Sequence, residues 1–265
     1  KVYNKHSVTY TYINGSALVS NLTVSCENGT VLNYGYTYDK LGNITKITEN
    51  GTVVAEYEYD ALSQLICEEY PVIGDAFVYT YDKSGNILSK LKFPYNANAS
   101  IAQYLTYLAQ YKETIGDYTY SSSEWGDLLV NYNGTSILYD EIGNPNNWHN
   151  ASSLTWNKRE LSSVVLDEGT LSFGYNSSGI RNNKIYSLSD ASFNHSYVLD
   201  GSTILRETII KSSATEMRTD ILYYYYDETG VVGFEHNGTD YYFIKNLQGD
   251  IIRILDQASN VVTEY

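Results

Sequence analysis

Cysteine, proline and methionine are scarce in this chain of 265 residues, which has two cysteines, three prolines and one methionine. Two cysteines are too few for a disulfide-held domain and fit no zinc-site spacing, so two separate buried thiols are favoured over a Cys26–Cys67 bridge. No apolar run approaches the ~18 residues that a membrane-spanning helix needs, which argues against membrane insertion. A formal net charge of −14 would repel a phosphate backbone and argues against nucleic acid as a partner.

Tyrosine, by contrast, is abundant, with 29 copies against six phenylalanines. A buried hydroxyl needs a hydrogen-bond partner, so many of these rings are expected on half-exposed surfaces. Hydrophobic residues make up 43% of the chain, which is typical of a folded protein and argues against disorder.

One short pattern repeats along the sequence. Residues 36–44, 57–65 and 79–87 each begin with Tyr-x-Tyr-Asp, and their aspartates are spaced by 21 and 22 residues. Looser copies occupy residues 139–144, 175–179 and 226–230, and half-copies occupy 126–128 and 249–251. We therefore predict a single repeat array over residues 1–265 with no internal boundary, the most regular repeats lying in 1–120.

Each copy predicts a β-hairpin. Tyr-x-Tyr places two rings on one face of a strand, Asp caps a turn through its carboxylate, and Gly takes the left-handed conformation that reverses the chain. Asn-Gly pairs, such as Asn50-Gly51, predict the turns at the other ends of the strands. Ser63 stands where other copies have glycine, so its turn is expected to be looser or differently built. The predicted structural turn residues are Tyr38, Asp39, Gly42, Asn43, Tyr59, Asp60, Tyr81, Asp82, Gly85, Asn86, Tyr139, Asp140, Gly143, Tyr226, Asp227 and Gly230.

The predicted fold is therefore all-β, an open antiparallel sheet of hairpins rather than a closed barrel. Only residues 100–112 resist this pattern: Ile101, Leu105 and Leu108 have helical spacing, but the tyrosines among them suit a strand. A strand or loop is the favoured interpretation there. Val2–Tyr12 and Val261–Tyr265 are expected to form unpaired edge strands, which pair with another chain or with neighbouring repeats.

The Tyr-x-Tyr-Asp-x-x-Gly-Asn pattern resembles the YD repeats of bacterial RHS proteins, wall-associated proteins, Tc-toxin C components and animal teneurins. The second part, 121–265, is similar to the RHS repeat-associated core of Gram-positive polymorphic toxins through segments 156–161, 173–181, 197–201, 226–230 and 241–251. The residues singled out in that core-like part are Trp156, Arg159, Leu161, Arg181, Asn246, Gly249 and Asp250.

This resemblance implies that the hairpins wind into a spiral, hollow shell, of which the chain is an open part. The shell would enclose and present a C-terminal toxin or effector domain of the same polypeptide, at the cell surface or after secretion. The family's cleavage element, Asp-Pro-x-Gly, does not occur in the sequence. The chain is therefore expected to be a piece of a longer protein, without its cargo and its protease element.

Other functions receive less support from the residues. The turn aspartates could be calcium ligands or glycosidase carboxylates, but their presence in every copy favours a turn-forming role. The four histidines show no metal or catalytic spacing, so we expect no enzyme, metal or cofactor. Trp125, Trp148, Trp156 and the tyrosine rows could stack on sugars, although cross-strand pairing is favoured. The alternative function is thus a cell-surface adhesin or carbohydrate-binding module that contacts surface glycans.

Overall fold

The computed structural model describes residues 6–106, 108–122 and 126–265. Contacts divide the chain into two compact units, residues 6–136 and 137–265, and each unit is built on one 11-stranded sheet. Consecutive strands are neighbours throughout both sheets, and every pairing is antiparallel. The predicted all-β fold of hairpin repeats is confirmed. The single array over 1–265 without an internal boundary stays a prediction.

The first sheet follows the chain from β1 to β11. Its strands are β1 (His6–Tyr12), β2 (Val19–Cys26), β3 (Val31–Tyr38), β4 (Ile44–Glu49), β5 (Thr52–Tyr59), β6 (Leu65–Tyr70), β7 (Asp75–Tyr81), β8 (Ile87–Pro94), β9 (Glu113–Tyr120), β10 (Leu129–Tyr132) and β11 (Thr135–Ser136).

The second sheet has the same order, from β12 to β22. Its strands are β12 (Ala151–Asn157), β13 (Glu160–Leu166), β14 (Gly169–Tyr175), β15 (Arg181–Leu188), β16 (Ala191–Asp200), β17 (Thr203–Ser213), β18 (Met217–Asp227), β19 (Gly230–His236), β20 (Thr239–Lys245), β21 (Ile251–Leu255) and β22 (Val261–Glu264).

Both sheets are open, because the strands at their two ends pair on one side only in the described part of the chain. The predicted edge strands occupy two of these ends, β1 in the first sheet and β22 in the second. Most of β1 is exposed, including Val8, Tyr10 and Tyr12. Val8 and Tyr10 pair in register with Val24 and Leu22 of β2, which are fully buried. Val2–Lys5 of the predicted first edge lie outside the described residues.

Residues 100–112 contain a helix, so the predicted strand or loop is wrong. Helix α1 (Ile101–Leu105) begins at Ser100, whose hydroxyl accepts from the Gln103 N–H while the Gln103 side chain accepts from the Ser100 N–H. A turn of 3-10 helix, Ala109–Tyr111, follows. The capping box and the apolar spacing outweigh the strand preference of the tyrosines. Tyr107 lies outside the described residues.

This helical insertion packs on one face of β6, β7 and β8. Tyr104 and Leu108 cover a cluster of buried side chains on these strands, namely Cys67, Ala76, Val78, Leu91 and Phe93. The Tyr104 ring lies 5.3 Å from the Phe93 ring, centroid to centroid, and is fully buried. The apolar face of the first sheet is thus closed at this point by the chain's own connection between β8 and β9.

Asn-Gly turns form the β4–β5 and β10–β11 connections of the first sheet and the β19–β20 connection of the second sheet. At Asn50-Gly51, Asn133-Gly134 and Asn237-Gly238 both residues have positive φ, as a type I′ turn requires. The turn asparagine also bonds to the strand that precedes the hairpin. Asn50 donates its N–H to the Asn33 carbonyl, and its side-chain oxygen accepts the Asn33 N–H at 3.0 Å.

Candidate functional site

The repeated turn after each Tyr-x-Tyr strand is closed by the aspartate carboxylate. Oδ1 of Asp39 accepts the backbone N–H groups of Leu41 and Asn43 at 2.8 and 2.9 Å, and Oδ2 accepts the Asn43 side-chain amide at 2.8 Å. The Gly42 N–H donates to the Asp39 carbonyl, and the Asp39 N–H to the Asn43 carbonyl. One carboxylate thereby satisfies three donors of a five-residue loop.

The same bonds recur in other copies. Asp82 and Asp140 accept from two backbone N–H groups and from the side chains of Asn86 and Asn144. Asp256 and Asn260 form an equivalent turn that the repeat pattern in the sequence did not reveal. At Asp227 the loop is shorter, and Thr229 donates both its N–H and its hydroxyl to the carboxylate.

The fourth residue of the loop has positive φ whether it is glycine or serine. Gly42 and Gly85 have φ of 90° and 91°, and Ser63 has φ of 61°. Asp60 accepts the N–H groups of Leu62 and Gln64 at 2.8 and 2.9 Å, as in the glycine copies. The backbone of the Ser63 turn therefore follows that of the glycine copies, because serine adopts the left-handed conformation here, while a looser turn stays a prediction.

The second tyrosine of each Tyr-x-Tyr pair links its hairpin to the preceding one. Tyr59 donates its hydroxyl to the carbonyl of Ile44 at 3.0 Å, and Tyr81 donates to Leu65 at 2.6 Å. Each acceptor is the first residue after the preceding turn. The same kind of bond is made by Tyr38 to Val19, Tyr120 to Ile87, Tyr175 to Leu161 and Tyr226 to Ile204. These partners explain how a tyrosine-rich sheet satisfies its half-buried hydroxyls.

The hydrogen bonds at the turns hold the aspartates in the ionised form. The pKa of Asp39 is lowered mainly by the Asn43 side chain, and that of Asp82 mainly by the Asn86 side chain. The pKa of Asp140 is lowered mainly by the Asn144 backbone N–H. Oxygens that accept N–H groups face donors rather than a cation, so this geometry suits a turn-former better than a calcium ligand. Within the described residues, no three His, Cys, Asp or Glu side chains are placed to hold a metal ion.

The residues singled out in 121–265 also stabilise hairpins. The Trp156 indole donates to the Pro145 carbonyl at 2.7 Å, and Arg159 donates to the Asn144 side chain at 3.4 Å. The Arg181 guanidinium lies 4.1 Å from the centre of the Phe173 ring. The Leu161 carbonyl accepts the Tyr175 hydroxyl. Asn246, Gly249 and Asp250 form the loop before β21.

Two histidine–carboxylate pairs lie on one face of the second sheet, and neither was predicted from the sequence. His195 Nδ1 is 2.6 Å from Oε1 of Glu207, and the Tyr224 hydroxyl donates to Oε2 of Glu207 at 2.8 Å. His236 Nε2 is 3.0 Å from Oδ1 of Asp220. The pKa of Asp220 is lowered, first by the hydrogen bond from His236. Each pair joins neighbouring strands, so only the strand register brings its members together.

Beside these pairs lies a cleft of about 370 Å³ on the same unit. Strands β18 to β21 supply most of its lining, and Tyr224 belongs both to the cleft and to the Glu207 pair. The Phe234 ring stacks on Tyr241 with centroids 5.0 Å apart and contacts Phe243 at 5.5 Å. The lining residues are Leu222, Tyr224, Phe234, Phe243, Ile251, Ile254 and Tyr265. We call this feature the aromatic cleft.

The two cysteines lie among the buried hydrophobic residues. Cys26 and Cys67 are not bridged to each other, which confirms two separate buried thiols. Burial raises the pKa of the Cys67 thiol to about 12, so this sulfur is unreactive at neutral pH. Trp148 is 41% exposed, whereas Trp125 lies outside the described residues. No helix in the described part of the chain has the length and apolar character needed to cross a membrane.

No protein-family model matches this chain, and no curated protein matches it. Among solved structures, it is similar to the crystal structure of TcdB2-TccC3, with a TM-score of 0.72 and 18% identity over 97% of this chain. It is also similar to the crystal structure of TcdB2-TccC3 without its hypervariable C-terminal region, with a TM-score of 0.74 and 18% identity over 98% of this chain. The chain spans only 15% and 14% of the length of those two chains. The hairpin repeats described above therefore have the fold found in TcdB2-TccC3.

Proposed function

We propose that this chain is part of a YD-repeat shell that encloses and presents a C-terminal toxin or effector domain of the same polypeptide. The likeness to TcdB2-TccC3 over 97% of the chain is the observation that carries this proposal. The Tyr-x-Tyr-Asp turns support it. The sequence repeats that resemble YD repeats form hairpins, and these hairpins have the fold found in TcdB2-TccC3. TcdB2-TccC3 also has a hypervariable C-terminal region, which the second of the two structures lacks, and a variable cargo would lie in such a region.

A structural role also fits the chemistry of the repeats. The turn carboxylates are engaged by N–H donors, and the tyrosine hydroxyls are engaged by carbonyls of the preceding hairpin. We infer that the array has no catalytic activity of its own and that it acts outside the cell, at the surface or after secretion. Its partners would be the cargo domain and the neighbouring repeats.

Limited proteolysis of the longer natural polypeptide tests this proposal. The downstream domain should be cleaved far more slowly within the intact protein than as a free domain at equal concentration. A variant with Trp156→Ala, which removes the bond to the Pro145 carbonyl, would serve as a weakened-shell control. A downstream domain that is as accessible in the full polypeptide as when free would refute encapsulation.

The alternative of an adhesin or carbohydrate-binding module stays a prediction. Partly exposed tyrosines such as Tyr223 and Tyr226, at 43% and 42% exposure, are the features that would serve it. A glycan array separates the two functions, because a container is expected to bind no glycan. Reproducible binding that disappears on substitution of these tyrosines would favour the adhesin.

A further inference from the structure

Asparagine followed by glycine and then by serine or threonine occurs five times in this chain. The asparagines of these segments are all exposed and all lie in turns, namely Asn14, Asn28, Asn50, Asn133 and Asn237. Glycine has no Cβ to shield its backbone nitrogen, so this nitrogen can attack the side-chain amide of the preceding asparagine. Because the five segments share the same local chemistry, the fold decides how their reactivities differ.

The reaction at such a pair is an intramolecular ring closure. The glycine nitrogen gives its proton to hydroxide and forms a bond to Cγ of the asparagine, the Cγ–Nδ2 bond breaks, and ammonia leaves with a proton from water. Water then opens the resulting succinimide at either carbonyl, which yields aspartate or isoaspartate. Ring closure requires an asparagine side chain that can rotate towards the glycine nitrogen, and a nitrogen that is not engaged elsewhere.

Three of the five asparagines are held on the strand that precedes their hairpin. The side-chain oxygens of Asn50, Asn133 and Asn237 each accept a backbone N–H of that strand, at 3.0, 2.7 and 2.8 Å. The side-chain nitrogens of Asn133 and Asn237 are engaged as well, by the Ile115 carbonyl and by Asp220. None of these three amides can turn towards its glycine without breaking a hydrogen bond.

Asn28 is held within its own turn. Its side-chain oxygen accepts the Thr30 N–H at 2.9 Å. The attacking nitrogen is engaged too, because the Gly29 N–H donates to the Cys26 carbonyl at 3.0 Å. Both partners of the ring closure are therefore restrained at this pair.

The Asn14-Gly15 pair lies at the tip of the loop that joins β1 to β2. The Ile13 N–H donates to the Leu18 carbonyl at 2.8 Å, and the Ser16 N–H donates to the Ile13 carbonyl at 3.0 Å. These bonds close the loop without using the pair. Among the residues that the structure describes, neither the Asn14 side chain nor the Gly15 N–H has a hydrogen-bond partner.

We propose that Asn14 is a site of spontaneous deamidation, at which Gly15 closes a succinimide ring that water opens to aspartate or isoaspartate. This proposal is independent of the proposed function. The conversion adds one negative charge to a chain of net charge −14, beside the end of the exposed edge strand β1. Isoaspartate also lengthens the backbone of the loop, because the chain then runs through Cγ. The modification thus alters both the charge and the spacing next to this edge.

Peptide mapping by mass spectrometry, after incubation of the chain at mildly alkaline pH, measures conversion at all five pairs in one sample. Asn14 should convert roughly fivefold or more faster than Asn50, Asn133 or Asn237, which is the factor expected when one hydrogen bond must break before attack. The product should contain both aspartate and isoaspartate. A rate at Asn14 that does not exceed the other three, or a product that is aspartate alone, would overturn the proposal.

The same chain unfolded in urea is the matched control, because unfolding removes every restraint described above. The five rates should then converge. If Asn14 keeps the same lead in urea, the neighbouring residues rather than the fold set its reactivity, and the structural assignment is refuted.

Two glycine variants locate the chemistry. Gly15→Ala should slow conversion at Asn14 severalfold, because a Cβ shields the attacking nitrogen, whereas Gly51→Ala should leave the already slow Asn50 nearly unchanged. The two are well matched, since a Cβ added at either glycine meets no atom within 4 Å and φ is 75° and 86°. Wild-type conversion at Asn14 in Gly15→Ala would contradict the proposed ring closure.

Hydroxylamine gives a second measurement that needs no variant. This nucleophile cleaves the chain where a succinimide has formed, so in the folded wild-type chain the first cleavage should fall between Asn14 and Gly15. Earlier cleavage at any of the other four pairs would refute the assignment even if Gly15→Ala fails to fold.

Discussion

Replacing Tyr104 by phenylalanine should destabilise the first unit by removing one buried oxygen. The Tyr104 hydroxyl donates to Oε1 of Glu69 at 2.6 Å and accepts the Asn96 N–H at 3.0 Å. Its ring is fully buried, whereas Phe93 and the other apolar neighbours would be unaffected by the change. The substitution therefore isolates the polar contribution of the helical insertion.

The size of the destabilisation depends on the two hydrogen bonds that Tyr104→Phe removes. Hydrogen bonds to charged groups contribute about 1.5–3 kcal/mol, and a neutral bond contributes about 1 kcal/mol. Water can reach Glu69 in part, since this carboxylate is only partly buried, which places the expected loss near ~2 kcal/mol. For a protein of this size, such a loss lowers Tm by about 4–8 °C.

The pH dependence gives the prediction a distinctive sign. Burial raises the pKa of Glu69, while the bond from Tyr104 lowers it, so the bond stabilises the ionised carboxylate. Without that bond the folded-state pKa of Glu69 rises further. The Tyr104→Phe variant therefore loses more stability at a pH above the pKa of Glu69 than at a pH below it. The penalty of Tyr104→Phe should therefore be largest at neutral pH and shrink as Glu69 becomes protonated on acidification.

Urea unfolding at pH 7 and at pH 4, followed by circular dichroism, measures both effects. Tyr111→Phe serves as the control, because Tyr111 is 58% exposed on the same connection. A loss below about 0.5 kcal/mol at pH 7, indistinguishable from that control, would refute the reasoning. So would a penalty that grows on acidification.

Three further predictions concern the turns and the edges. Gly42→Ala should lower the free energy of unfolding by about 1 kcal/mol, because φ of 90° strains a Cβ; urea unfolding measures it, and a neutral effect contradicts the turn geometry. Acid should lower the free energy of unfolding below about pH 4, because the depressed pKa values of Asp39, Asp82 and Asp140 contribute stability above their ordinary value of 3.8 that is lost as the pH falls through the folded values. A free energy of unfolding that stays constant down to pH 2 in an acid titration would contradict this. The exposed strand β1 should promote self-association at high salt, where screening weakens repulsion between chains of charge −14; light scattering that reports a monomer at all salt concentrations would argue against it.

The turns could be predicted from the sequence because their chemistry is local. Asp39 bonds to groups two and four residues away, and the positive φ of Gly42 suits glycine because of the local backbone alone. The helix at Ile101–Leu105 was mispredicted because two local signals conflict there. Its capping residues, Ser100 and Gln103, are local as well, so weighing the capping box against the tyrosines could have identified it.

The aromatic cleft and the histidine pairs could not be predicted, because they depend on register rather than on local pattern. His195 meets Glu207 across β16 and β17, and this pair of strands contains a register shift between Val198 and Leu199. A shift of one residue moves a side chain to the other face of the sheet. Whether His195 and Glu207 share a face therefore depends on this register shift. The spacing of twelve residues between them in the sequence does not reveal it.

The tyrosine hydroxyls show why the repeats must act together rather than singly. Tyr59 bonds to the first residue after the Asp39 turn, and Tyr81 bonds to the first residue after the Asp60 turn. The turns also touch directly, since the Asn43 side chain donates to the Ser63 hydroxyl at 3.1 Å. The tyrosine of each hairpin therefore bonds to the start of the strand that follows the preceding turn. The strand after its own turn is bonded in the same way by the next hairpin. Stability in such an array is shared between nearest neighbours, so a hairpin at the end of a sheet lacks one half of this support. Additional repeats, or a partner strand on β1 or β22, would supply the missing half.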